Sequence, residues 1–260
     1  MNFLPFVQWI ETAPQWVQGV PEWLQRLLYQ LYQTFIYGDR WMLFVQGLKI
    51  TFIVTIGALI LGVALGFVVA FIRSGYDEKA RTKKPGVAFR LLNGICKLYL
   101  TVIRGTPMMV QLLVMGFVIM VPKTDDGMIL CGIITLGINS GAYVAEIARS
   151  GLISIPAGQM EAGRSLGFNY VQTMWYIVIP QAFRNILPAL GNEMITLLKD
   201  TSLVSVIALR DVTKQAQNLV SITYQAYVPY LSLALIYLVL VIILTKILGV
   251  IERRLRRSDH

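Results

Sequence analysis

At 260 residues the chain is long enough for one or two soluble domains, but 56% of it is hydrophobic, only 14% is charged and its mean hydropathy is +0.63, so it belongs in lipid and not in a water-soluble core. Its net charge of +9 comes from basic residues set beside apolar runs, which argues against nucleic-acid binding. The single histidine, His260, closes the chain, Cys96 and Cys131 have neither CxxC nor metal-site spacing, and no GxxxxGK[ST] loop is present; hydrolytic chemistry, a metal centre and a nucleotide cradle of its own are therefore not expected.

In chain order, residues 1–40 hold Trp9, Trp16 and Trp23 among scattered Gln, Glu and Pro, with Trp41 next. This stretch is too polar to cross a bilayer but rich in rings that settle at headgroup depth. Pro21 to Tyr37 reads as an amphipathic helix on the outer surface, the alternative being a loose extension. The basic, apolar, small-residue order of a cleavable signal is missing, so the segment is expected to stay attached. Five later segments are apolar enough to be read as crossings, at about 44–72, 107–121, 128–148, 177–199 and 230–251; crossing takes about 20 residues for about 30 Å of hydrocarbon. The second is short, and the basic 97–106 stretch can lengthen it.

The loops predicted at 73–106 and 149–176 and the tail after 251 carry 14 of the 23 Lys and Arg residues. Positive-inside bias therefore puts these on the cytoplasmic side, with the N-terminus out and the C-terminus in, as an odd number of crossings requires. In the first crossing Gly57, Gly62 and Gly66 with Ala58 and Ala70 form a small-residue stripe suited to close helix packing. In the third, Glu146 stands three residues before Arg149, a spacing that lets the two pair on one helix face.

The loop after the third crossing carries the most informative pattern: Glu161-Ala162-Gly163, three residues, Gly167, nine residues, then Ile177-Val178-Ile179-Pro180. Pro156 with Gly158 breaks the preceding crossing from a short helix, and Gly167 is placed to cap it. Ala162, Gly163 and Gly167 permit close approach of a partner, while Glu161 and Arg164 point outward. The alternative is an ordinary solvated loop helix. The pattern resembles the EAA signature of bacterial binding-protein-dependent ABC importer permeases, departing from it at Gly163 for Ala and Ile179 for Leu. Arg104-Gly105-Thr106-Pro107, Asn139-Ser140-Gly141-Ala142-Tyr143 with Glu146, and Leu197-Leu198-Lys199-Asp200-Thr201-Ser202 are similar to the polar amino-acid subgroup of that family. The similarity runs over about residues 41–252.

That resemblance implies an all-α membrane protein of the type I ABC importer permease fold, with five transmembrane helices and a cytoplasmic coupling helix within about 156–168. Pro156, Gly158, Glu161, Ala162, Gly163, Arg164 and Gly167 would form the ATPase-coupling segment. Residues 41–252 would be the transmembrane domain, with 253–260 a basic cytoplasmic tail; residues 1–40 lie outside the similarity, and their reading as an amphipathic outer-surface extension rests on composition alone. The resemblance further implies a bacterial inner-membrane location and a chain that is a transport subunit, not an enzyme. Its partners would be a dimer of ATPase subunits binding ATP and Mg, a second permease copy or a homologous one, and an extracytoplasmic amino-acid-binding protein.

The fourth crossing holds Arg184, Asn185, Asn192, Glu193, Thr196 and Lys199, interrupted by Pro180, Pro188 and Gly191. Ionisable groups in a bilayer cost roughly 2.5–3.5 kcal/mol on insertion scales, and prolines free backbone carbonyls, so such a helix belongs beside protein or a wet path. Asn192, Glu193 and Thr196, with Asn139 and Ser140 from the third crossing, are the expected lining of a path for a zwitterionic amino acid; alternatively Glu193 pairs with Lys199 or Arg184. Arg104 reads as an interface anchor. A channel or secondary transporter would leave the EAA segment unexplained, and a membrane enzyme would need a catalytic cluster that the sequence does not offer.

Overall fold

The computed structural model describes residues 4–82 and 84–257. Lys83 in the predicted basic loop and the end of the predicted tail, including His260, lie outside the described residues. Every regular element among the described residues is helical. The chain divides into two units, Met1–Thr51 with Arg210–Leu240, and Phe52–Leu209 with Val241–His260.

The first unit holds α1 (Leu4–Thr12), α2 (Gln15–Gln18), α3 (Glu22–Leu31), α11 (Val212–Thr223), the start of α4 (Trp41–Thr82) and the start of α12 (Tyr227–Arg257). Pro14 and Pro21, with φ of -55° and -56°, stand at the N-caps of α2 and α3, where a missing N–H costs nothing. The predicted helix over 21–37 is present as α3 and a π-helical turn, Tyr32–Ile36. It is not a loose extension: the rings of Phe6 and Trp9 pack on Tyr29 with centroids 5.4 Å apart, and Phe35 stacks on Phe44 at 5.5 Å. Phe44 forms a small core with Val212, Ala216 and Leu219. Trp16 and Trp23 stay about two-thirds exposed.

Asp211 caps α11 by accepting from the backbone N–H groups of Thr213 and Lys214 at 3.1 and 2.8 Å, and Thr51 Oγ1 accepts from Val212 N. A Cβ on Gly47 would lie 2.6 Å from Val212 Cα. Only glycine lets α4 come this close to the start of α11.

The second unit contains the rest of α4, then α5 (Val87–Gly105), α6 (Met108–Val114) with a π-helical turn Met115–Ile119, α7 (Asp125–Ile153), α8 (Ala157–Ser165), α9 (Tyr170–Thr173) with a π-helical turn Met174–Val178, α10 (Ile179–Asp200), a 3-10 helix Thr201–Ile207 and the end of α12. By length and apolarity three single helices among the described residues can cross a membrane: Trp41–Ala80, Asp125–Ile153 and Tyr227–Arg254. The pair Val87–Gly105 and Met108–Ile119 qualifies as a broken span, bent by 106°. α10 coincides with the fourth predicted crossing but is less apolar than these.

The loop predicted at 73–106 is corrected: α4 runs on to Thr82 and α5 occupies Val87–Gly105. The basic residues misled because Arg90, Lys97 and Arg104 recur every seven residues, which gathers them on one stripe of a helix. The side of α5 next to this stripe buries Asn93, Cys96 and Leu100, and Leu91, Ile95 and Leu98 remain exposed on the side away from them.

α7 is the most enclosed helix of this unit. The small-residue stripe of α4 packs on it as expected. A Cβ on Gly62 would meet Ser140 Cβ at 3.0 Å and one on Gly66 would meet Val144 Cγ1 at 2.6 Å, while Ala58 and Ala70 are buried. Both cysteines are free and buried, Cys96 among Val69, Leu100, Ala142 and Ala145.

Candidate functional site

The segment carrying the Glu161-Ala162-Gly163 pattern is helical. Pro156 occupies the N-cap of α8 after α7 has ended at Ile153. The helix stops in a Schellman arrangement: Phe168 N donates to Gly163 O at 3.2 Å, Gly167 N donates to Arg164 O at 3.0 Å, and Gly167 sits at φ +87°. This is the conformation for which glycine is needed, so Gly167 is the C-terminal stop that the spacing suggested. Glu161, Ala162 and Arg164 are exposed, and Gly158 has open space where a Cβ would be. Downstream, Asn169 and Gln172 form a reciprocal capping box that starts α9.

Gly163 does something different from its neighbours. It is buried, and a Cβ there would lie 2.6 Å from Thr173 Cγ2 and 2.8 Å from Ile177 Cδ1. Its smallness serves packing within the chain and leaves Ala162 and Gly158 for an external surface. Two side-chain hydrogen bonds add to that seam. Gln181 Nε2 donates to Gln159 Oε1 at 3.2 Å, and Asn185 Nδ2 donates to Ser154 Oγ at 2.8 Å. The first ties the short helix to the first turn of α10, and the second ties the C-cap of α7 to the turn that follows.

Further along α10 stands Glu193, whose Oε1 accepts from Ser140 Oγ on α7 at 2.8 Å. A hydrogen bond to a charged group contributes about 1.5–3 kcal/mol, so this contact pins α10 to α7 at the predicted polar position. Asn192 and Thr196 are exposed on the neighbouring face, four residues apart. The Thr196 hydroxyl donates to Asn192 O at 3.1 Å, which leaves its lone pairs and the Asn192 amide outward. Of the five residues predicted along a substrate path, Ser140 and Glu193 thus meet directly and Asn192 and Thr196 flank them.

Asn139 turns elsewhere. Its Nδ2 donates to Gln111 Oε1 at 3.0 Å. Gln111 Nε2 in turn reaches Ile103 O at 2.7 Å, Thr106 Oγ1 at 2.8 Å and Thr106 O at 3.2 Å. One amide side chain therefore satisfies carbonyls freed by the break at Gly105 to Pro107 and joins that break to α7. Sequence reasoning missed Gln111; the signal was a lone glutamine four residues past a proline in an otherwise apolar run.

The predicted Glu146–Arg149 pair is also corrected. Glu146 pairs with Arg73 at 3.6 Å and Arg104 at 3.3 Å, and Arg149 pairs with Asp77 at 2.8 Å. Long side chains on packed helices reached partners that spacing within one helix does not reveal. Arg104 stays exposed while it holds Glu146 and lies over the Tyr143 ring at 5.6 Å. Among the described residues no group of three or more His, Cys, Asp or Glu side chains stands close enough to hold a metal ion.

Residues 86–257 match the family described as the binding-protein-dependent transport system inner membrane component. The chain belongs to this family. It is 37% identical over 217 residues to the arginine transport system permease protein ArtQ of Bacillus subtilis, covering 82% of this chain and 93% of that one. It is 34% identical over 216 residues to the glutamine transport system permease protein GlnP of Escherichia coli, with the same coverage of 82% and 93%. A crystal structure of an amino acid ABC transporter with histidines superposes with a TM-score of 0.73 at 36% identity, covering 90% of this chain and 99% of that chain. The MetNI methionine ABC transporter, at 20% identity and a TM-score of 0.69 over 84% of this chain and 98% of that one, shares the fold. This permease is a transport component of an inner membrane, not itself an enzyme, and the helices described above are those of an ABC importer permease.

Proposed function

We propose that the chain is the permease subunit of an ATP-driven importer of polar amino acids, and that α8 converts closure of a separate ATPase dimer into movement of α10. In this reading the chain crosses the bilayer five times, N-terminus out and C-terminus in. α8 faces the cytoplasm, residues 1–40 lie on the outer surface with Trp16 and Trp23 at headgroup depth, and 253–260 form a basic cytoplasmic tail. A second permease, identical or homologous, completes the translocation path. An external binding protein delivers the solute, and the ATPase subunits hold ATP and Mg. The arginine and glutamine systems named among the relatives support the solute class.

The observation that carries the proposal is the continuous seam from α8 to Glu193. Gly163 against Thr173 and Ile177 seats α8 on α9 and the π-helical turn that lead into α10, Gln159 with Gln181 joins α8 to the first turn of α10, and Ser154 with Asn185 joins the end of α7 to it. Gln181 and Glu193 are twelve residues apart on one helix, about 18 Å at 1.5 Å per residue. In this reading a small displacement at the exposed Glu161, Ala162 and Arg164 face is passed along this stretch, through Pro188, to the Ser140–Glu193 contact.

Chemically, Glu193 and Asn192 offer acceptors to the ammonium of a zwitterion, and breaking the Ser140 contact releases the carboxylate to do so. The test is uptake by the reconstituted complex, supplied with its binding protein, carrying Glu193→Gln. The expected result is a fall in uptake of about tenfold or more with assembly intact and ATP hydrolysis still stimulated. Unchanged affinity and rate would remove Glu193 from the path.

A further inference from the structure

A cavity of about 620 Å³ opens where α4, α5 and α7 meet, with Arg73, Lys97, Thr101, Arg104, Tyr143 and Glu146 in its wall. It lies beyond the Ser140–Glu193 contact along α7: Glu146 is six residues past Ser140, about 9 Å along the helix. Its charges do not balance. Arg73, Lys97 and Arg104 face a single carboxylate, Glu146, which is shared by the two guanidiniums at 3.6 and 3.3 Å. Lys97 is exposed and takes part in no ion pair among the described residues. Lys97 and Arg104 stand one above the other on α5, and across the helix from them Ile95, Leu98 and Val102 form an exposed apolar surface that offers no counter-charge.

Unscreened like charges at the edge of a low-dielectric region repel strongly. A cavity that holds three cations against one anion is at its lowest energy when a further anion is present. Hydroxyls of Thr101 and Tyr143 supply neutral donors beside the cations. The volume suits a small ligand or a headgroup and is far larger than a chloride ion needs.

We propose that this cavity is an anion site which takes one carboxylate or phosphate group, with Lys97 as its principal free cation and Arg104 as the second. Two sources share that chemistry: the phosphate of an anionic lipid, whose tails would lie against the exposed apolar face of α5, and the carboxylate of a solute that has passed Glu193. The charge arithmetic of the cavity stands whether or not Glu193 contacts solute.

The experiment uses the whole permease–ATPase complex in phosphatidylcholine nanodiscs. Calorimetric titrations with dihexanoyl phosphatidylglycerol, with glutamine and with glutamine amide, which lacks the carboxylate, are run on the unmodified complex, Lys97→Gln, Lys97→Arg and Glu193→Gln. Lys97 is exposed and outside the packed core, so Lys97→Gln leaves the fold intact, and Lys97→Arg keeps the charge. Saturable binding of the lipid or of glutamine, weakened about tenfold by Lys97→Gln and less than threefold by Lys97→Arg, is the expected result. Whichever probe behaves this way names the source, and glutamine amide should not bind if the solute carboxylate is the ligand. Saturation by neither probe overturns the proposal. So does binding that is indifferent to Lys97→Gln, including glutamine binding that responds only to Glu193→Gln, which would belong to the substrate path.

Discussion

Replacing Gly163 by alanine converts Glu161-Ala162-Gly163 into Glu-Ala-Ala, the form of the signature that this sequence resembles, and yet the structure predicts a loss. In an open helix the change would stabilise by roughly 0.5–1 kcal/mol through backbone entropy. Here the new methyl group would sit 2.6 Å from Thr173 Cγ2 and 2.8 Å from Ile177 Cδ1. Ile177 can swing its terminal carbon aside, but Thr173 is fully buried and its hydroxyl donates to Asn169 O at 3.0 Å. Moving that methyl group means breaking the bond or shifting α8. Overpacking of this kind costs roughly 1–3 kcal/mol, so the net effect is a destabilisation of about 1 kcal/mol. Because the strained joint is the one between α8 and the α9 and π-helical segment that leads into α10, coupling should suffer as well. Thr173→Ser removes the obstructing carbon and keeps the hydroxyl bond, so the double variant should recover both properties. The assay is a double-mutant cycle read by the thermal unfolding midpoint of the purified complex and by ATP hydrolysis stimulated by the loaded binding protein. Gly163→Ala that raises the midpoint on its own, or a cycle in which the two changes simply add, would refute this account of the seam.

Two further predictions rest on single side chains. Gln111→Leu keeps the volume but orphans carbonyls at the helix break and the Asn139 amide. Unsatisfied buried groups cost about 1–3 kcal/mol each, so a lower unfolding midpoint and reduced uptake are expected; an unchanged midpoint would show that the break does not depend on this amide. Asp211 is fully buried at the N-cap of α11, and burial holds its carboxyl above the ordinary value of 3.8, at about 6. The folded protein therefore binds this proton more tightly than the unfolded chain, so its contribution to stability is greatest at low pH and is lost as pH rises from about 4 through about 6. The unfolding midpoint of the complex in nanodiscs should fall across that window for the native residue and flatten for Asp211→Asn; an equal slope in both would contradict the assignment.

Much of this was legible in the residues. The apolar runs at 44–72, 128–148 and 230–251 lie within α4, α7 and α12, because runs of that length leave little choice but helix. The short helix after α7 was readable from Pro156 at its start and Gly167 at its end, since each has a backbone requirement that few other residues meet. α5 was not: its charges, scattered in the chain, align only when wound at 3.6 residues per turn. The 106° bend after Gly105 is signalled by Gly105 and Pro107, but its repair by Gln111 depends on a fold that brings a side chain back eight residues to Ile103. Pairings across helices escaped for the same reason. Glu146 found Arg73 and Arg104, and Asn139 found Gln111 instead of Glu193, through contacts between segments distant in sequence.

The direct test of the central claim is where α8 lies and what covers it. Cys96 and Cys131 are 5% and 0% exposed, so a cysteine placed at the exposed Ala162 can be labelled over a quiet background. With Ala162→Cys, a membrane-impermeant maleimide should react in inside-out vesicles and not in right-side-out cells, and binding of the ATPase subunits should protect the site. Labelling from the outside, or an unchanged rate when the ATPase is bound, would contradict the role assigned to this helix.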